Sequence, residues 1–116
     1  MTTIFERTAT ALATIAPAIP HALGQLLTPA GVALPATFIV YQEITGDPEQ
    51  HADDAEIART YRIQVSIYSK GGLVTLPDVD TAMLGQGFRK GPERQLPYNQ
   101  ETKHFGLAKD YFYLDA

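Results

Sequence analysis

The densest grouping of residues able to do chemistry is His51, Asp53, Asp54 and Glu56, the pattern H-x-D-D-x-E. Carboxylate oxygens and an imidazole this close could hold a divalent ion. The pattern lacks EF-hand spacing and has no glycine at the turn position. It follows Gly46-Asp47-Pro48, a turn signal, and Glu49 adds to its charge, so Gly46–Asp54 reads as a solvated acidic loop. Asp78 and Asp80 form a second pair of carboxylates. Two positions apart on a helix, they point in different directions, and Asp78 suits the helix start, where negative charge meets the dipole. His21 and His104 have no assignable partner, and a Ser-His-Asp arrangement is spatial and leaves no spacing to read. Neither G-x-x-x-x-G-K nor G-x-G-x-x-G occurs, so phosphate-cradling loops are absent. The glycines of GQGFRKGP suit a helix end followed by a turn.

A chain of 116 residues is about one domain. A hydrophobic fraction of 45% with 19% charged residues is that of an ordinary folded chain with one core. The formal net charge of -4 argues against a primary nucleic-acid binder, which would present a basic face. Arg89, Lys90 and Arg94 are the basic cluster available. The absence of cysteine excludes disulfides, thiol catalysis and cysteine-based zinc sites. No apolar stretch approaches the roughly 20 residues of a membrane-spanning helix. Glu6 and Arg7 interrupt the apolar N-terminus, which reads as a retained helix rather than a signal peptide. The expected place of synthesis is the cytoplasm.

The elements that must position these residues follow from periodicity. Thr37–Thr45 alternates, with Phe38, Val40, Gln42 and Ile44 on one face and Ile39, Tyr41 and Glu43 on the other. Glu56–Ser69 alternates for longer, with Ile57, Arg59, Tyr61, Ile63, Val65 and Ile67 on one face. The two runs are expected to pair as an antiparallel hairpin. A helix over Ile4–Ile15 shows apolar three- and four-residue spacing, with a Thr3–Glu6 capping box. Pro20–Leu23 is a possible edge strand, and Gly24–Pro35 is a loop. A short helix is expected over Thr75–Leu84, with Pro77 in its first turn. A short strand Phe88–Lys90 closes at Gly91-Pro92, Glu93–Thr102 is a polar loop, and Lys103–Leu114 is a final strand. The fold class is α+β: a mostly antiparallel β-sheet with two α-helices packed on one face, a small α/β sandwich in a single domain over residues 1–116. Tyr41, Tyr61, Tyr68, Tyr111 and Tyr113 fall on strands and Tyr98 in a loop; they suit either half-buried sheet positions or wet interfaces.

Three blocks carry a family resemblance. They are PATFIVYQEI (Pro35–Ile44), HADDAEIARTYRIQVSIYSK (His51–Lys70) and GQGFR (Gly85–Arg89), followed by a final aromatic strand. Together, over about Phe38–Tyr113, they resemble the small tail-completion or tail-terminator proteins of long-tailed bacteriophages and prophages. The resemblance implies a small α/β sandwich without an active site or cofactor. It also implies a homo-oligomeric ring, often a hexamer, on the head-proximal end of the tail tube. Such a ring stops tube polymerisation and offers a surface to the head–tail connector proteins. The tail-tube protein and the connector would be its partners and the virion its location. Phage DNA would meet it only while passing through the lumen, where an acidic wall would not hold it.

A terminator needs one surface for the tube and another for the connector, and polar loops that order on docking would suit both. The candidates are Gly24–Pro35, Gly46–Asp54 and Gly91–Thr102, with Gly46, Asp47, Glu49, His51, Asp53, Asp54, Arg89, Lys90 and Arg94 as contact residues. Three alternatives stay open. They are a head-closure or adaptor protein on the other side of the same joint, a small-molecule binder using the apolar interior, and a metal-dependent enzyme at His51–Glu56.

Overall fold

The computed structural model describes residues 3–15, 18–26, 28, 33–45, 51–52, 55–56, 59–74 and 76–115. Helix α1 spans Ile4–Ala13. Strands follow at His21–Leu23 (β1), Thr37–Thr45 (β2), His51–Ala52 (β3), Ala55–Glu56 (β4) and Arg59–Ser69 (β5). Helix α2 spans Val79–Leu84, and strands β6 (Arg89–Asn99) and β7 (His104–Asp115) complete the chain. A five-stranded sheet runs β1-β2-β5-β7-β6, with β3 and β4 as a separate two-stranded ladder. Only the β1–β2 pair is parallel among these pairings; the rest are antiparallel. This is the expected α+β architecture.

Both helices cover one face. Ile39 and Tyr41 on β2, Ile63, Val65 and Ile67 on β5, and Tyr111 on β7 meet Ile4, Ala11, Leu12, Val79 and Met83 from above. Register sets Ile39 opposite Ile67 and Tyr41 opposite Val65, so the apolar sides of the hairpin coincide as anticipated. Fully burying an aliphatic side chain of this size contributes about 1.5–3 kcal/mol. Helix α1 begins at Thr3, whose hydroxyl accepts from the Glu6 backbone N–H at 3.1 Å. Its end is marked by the Thr14 hydroxyl donating to the Ala11 carbonyl at 2.7 Å.

Helix α1 ends at Ala13, short of the expected Ile15, and of the strand expected over Glu56–Ser69, Glu56 belongs to β4 while β5 begins at Arg59. Two further expectations need correction. Helix α2 is shorter than Thr75–Leu84: Asp78 is its N-cap, so Pro77 precedes the helix instead of entering its first turn. The Asp78 carboxylate accepts from both the backbone N–H and the hydroxyl of Thr81, which fixes the start there. The second correction is larger. Phe88–Lys90 is not a short strand ended by Gly91-Pro92, and Glu93–Thr102 is not a loop. β6 runs from Arg89 to Asn99 and pairs with β7, with register shifts at Lys90/Glu93 and Leu96/Asn99. It is an edge strand, where a proline's missing N–H needs no ladder partner. Gly91 is required by contact, since a Cβ there would lie 2.5 Å from the Phe112 ring. Tyr98 therefore sits on a strand, its ring 4.7 Å from that of Phe105.

Candidate functional site

The sheet face away from the helices carries a polar centre. Alternation along β5 and β7 points Arg62, Gln64, Ser66, Ala108, Asp110 and Phe112 to this side, and β6 adds Arg89 opposite Phe112 and Arg94 opposite Ala108. Asp110 is 2% exposed and its Oδ2 accepts from both Nε and Nη2 of Arg62. A charge buried to this degree requires such a pair. Asp110 Oδ1 has no partner among the described residues. Gln64 donates to the Ser66 hydroxyl at 3.3 Å and accepts from Arg94 at 3.4 Å. The Arg62 guanidinium also lies 5.6 Å from the centre of the Phe112 ring.

A second cluster lies on the helix side, between α2 and the β6–β7 hairpin. Tyr111, wholly buried, donates to Asp80 Oδ1 at 2.5 Å. Lys90 and Lys109 approach Asp80 at 3.2 and 3.5 Å, and Lys109 also reaches Glu93 at 3.7 Å. Burial raises the pKa of Asp80, but the Tyr111 and Lys90 hydrogen bonds and the Lys109 charge outweigh it and leave the carboxyl below its ordinary range. Burial, and then the bond to Asp80, push the Tyr111 phenol well above its ordinary value. The hydrogen bond to Asp80 raises Lys90. The Asp80 carboxylate is thus held by the Tyr111 hydroxyl and two ammonium groups together. The cluster fastens α2 to the hairpin.

Asp78 and Asp80 point apart, as expected from their spacing, and Asp78 caps α2. The Thr81 hydroxyl and then its backbone N–H hold the Asp78 carboxyl below its ordinary range. His104 is buried, with Nε2 at 2.8 Å from the Pro35 carbonyl and its ring edge-on to Phe38 at 5.0 Å, so it ties the approach to β2 onto β7. His21 contacts the Ile19 carbonyl through Nδ1 at 3.1 Å. Of the tyrosines, Tyr41 and Tyr111 are core, Tyr61, Tyr68 and Tyr113 are half-buried, and Tyr98 is exposed. A cavity of about 620 Å³ opens between the end of α1 and α2, lined by Ile15, Ile19, Leu76, Ala82, Thr81 and Gln86 among others.

No protein-family model matches the chain, and no curated protein matches it. The chemistry of the surface has to be taken from its own residues.

Of the anticipated contact residues, Gly46, Asp47, Glu49, Asp53 and Asp54 lie outside the described residues. His51 lies in β3, where the backbone pairs with Glu56, so Gly46–Asp54 contains a short strand instead of being loop throughout. Arg89 and Lys90 were expected on a short strand and Arg94 in the loop beyond it; all three lie on β6. They do not act as one basic cluster, because Lys90 turns to Asp80 on the helix side while Arg89 and Arg94 belong to the other face. Among the described residues no three His, Asp or Glu side chains gather in a metal-binding arrangement. Among the same residues, no helix is long and apolar enough to cross a membrane.

The Arg62–Asp110 pair escaped the sequence reading because its partners are 48 positions apart. One signal was present: Asp110 shares a strand face with Gly106 and Ala108, and an acid among small residues on a sheet needs a nearby cation.

Proposed function

We propose that this chain is a structural protein of a long-tailed phage or prophage. In this reading it forms a homo-oligomeric ring on the head-proximal end of the tail tube. It would end tube polymerisation and help form the head–tail joint within the virion. The observation that carries the reading is where the motif-bearing segments sit. The resembling run Ala52–Lys70 includes β5, the strand at the centre of the sheet; Gly87–Arg89 is the junction from α2 to β6; and the aromatic final strand is β7. The expected two-layer sandwich and the residues of the resemblance thus fall on the same framework. The ionisable clusters described above are engaged in holding elements together, which suits a protein that works by its surface.

The test is to mix the purified chain with tail tubes and image the mixture by negative-stain microscopy, with masses from light scattering. Density capping one tube end is the expected result. Binding to the head's connector without any tube binding would move the chain to head closure.

The cavity beside α2 supports a second reading, a small-molecule binding module. Its volume lies in the range of ligand pockets, and its lining mixes apolar side chains with threonine hydroxyls, the Gln86 amide and the Asp78 carboxylate. A ligand-dependent rise in Tm would favour it.

A further inference from the structure

The cavity beside α2 is uneven in charge. Asp78 is the one charged side chain among the described residues that line it, and no lysine, arginine or histidine is among them. Lys90 and Lys109 are turned to Asp80 and do not line it. Part of the wall is aliphatic. Ile15 and Ile19, which follow α1, and Leu76, which precedes α2, pack against the core yet stay half-buried. Beside a space of about 620 Å³ these side chains still have apolar surface to remove from water, and an apolar guest would cover it.

Asp78 stands at the mouth, since it lines the cavity and is exposed. Its Oδ1 accepts from the Thr81 backbone N–H at 3.1 Å and its Oδ2 from the Thr81 hydroxyl at 2.7 Å. An ionised carboxylate has about four acceptor positions, so this one can take more donors. The same bonds hold the carboxyl below its ordinary range, which keeps it charged at neutral pH. They also use up donors at the start of α2, and the Val79 N–H is given to the Pro77 carbonyl at 2.9 Å. An anion would therefore meet a carboxylate where it needs donors, and a cation would meet a free acceptor.

We propose that this cavity binds a small organic amine, with its apolar body among Ile15, Ile19, Leu76 and Ala82 and its ammonium group on the Asp78 carboxylate. The proposal rests on the binding-module reading above and names the ligand class. The apolar body supplies most of the affinity. An exposed carboxylate adds little strength, but it selects among guests of one shape by their charge.

The test uses three probes of similar shape: 4-phenylbutylamine, 4-phenylbutan-1-ol and 4-phenylbutanoate, which are a cation, a neutral molecule and an anion at neutral pH. Each is titrated into the isotope-labelled full chain, and the amide resonances of Ile19, Thr81, Ala82 and Gln86 are followed by NMR. All four amides are expected to shift. The amine should bind about two- to fivefold more tightly than the alcohol, and the acid most weakly. Asp78→Asn removes the charge and keeps the cap, because asparagine caps a helix about as well as aspartate. In that variant the amine and the alcohol should bind equally, with the alcohol as in wild type. Raising salt from about 0.01 M to about 1 M should narrow the same gap in the wild-type chain, a readout that needs no variant.

Equal binding of amine and alcohol at the lining amides overturns the amine assignment and leaves the binding-module reading in place. An advantage of the amine that survives Asp78→Asn in a folded chain also overturns it. Amine-dependent shifts that fall elsewhere while the lining amides stay still belong to the negative chain at large, and they overturn it too. No shift at the lining amides with any probe at about millimolar concentration overturns both the assignment and the binding-module reading.

Discussion

Ile63 and Gln64 are neighbours on β5 and face opposite sides of one sheet. Ile63 is completely enclosed by the helices and the adjoining strands, and Gln64 is nearly as enclosed at 8% exposure. What holds each is different. Around Ile63 the contacts are apolar and non-directional, with Val65, Ile67, Leu12 and Met83 in the same cluster. Around Gln64 they are directional, a chain from Arg94 through Gln64 to Ser66 beside the Arg62–Asp110 pair. The helix side gains its stability from excluded water. The open side gains less, but its directional bonds fix side chains in defined positions.

The largest effect expected from this contrast is on the helix side. Ile63→Ala should cost about 2–5 kcal/mol, the usual range for truncating a buried aliphatic residue, read from urea unfolding. Ser66→Ala on the open side should cost less than about 1.5 kcal/mol, since it removes one modest hydrogen bond. Equal losses at the two sites would dissolve the distinction. Gly91→Ala should cost about 1–3 kcal/mol through overpacking against Phe112, despite the strand's exposure. Arg62→Ala leaves Asp110 buried without its cation. Because Arg62 is 39% exposed, water can approach the vacated site, and a loss of about 1–3 kcal/mol is expected in place of the larger penalty of a fully buried pair.

Tyr111→Phe sharpens the comparison from the helix side, at about 1–2 kcal/mol for one bond to a charged acceptor. It should also change the pH profile of Tm. The folded pKa of Asp80 is lowered, so its contribution is present above the unfolded carboxyl value of about 3.9 and is lost as pH falls through the folded value. The folded pKa of Tyr111 is raised, so its contribution is full below the unfolded phenol value of about 10 and is lost as pH climbs beyond it. The variant should show a shallower alkaline decline than wild type. An unchanged alkaline limb would remove Tyr111 from the account.

What was legible in the sequence follows the same division. β2 has its anticipated bounds because Thr37–Thr45 is half-buried and so alternates. The apolar face of β5 could be read for the same reason. β6 could not, because an edge strand exposed along nearly its whole length need not alternate, and Pro92 and Pro97 imitate loop punctuation. Helix α2 begins late because the Asp78 side chain competes for the first free N–H groups, a choice that periodicity does not reveal. Among site residues, the sequence showed Arg89, Lys90 and Arg94 as one cluster. Separating Lys90 from the two arginines needed the ladder to β7 and the position of Asp80.

The prolines of β6 have one more consequence. A long, exposed strand with free backbone groups along one side is a template on which another molecule's strand can grow, and repeated growth of that kind yields fibrils. Pro92 and Pro97 each remove a donor from that template, and the two register shifts bend its ladder. The outer edge of the sheet is therefore a poor place for endless extension.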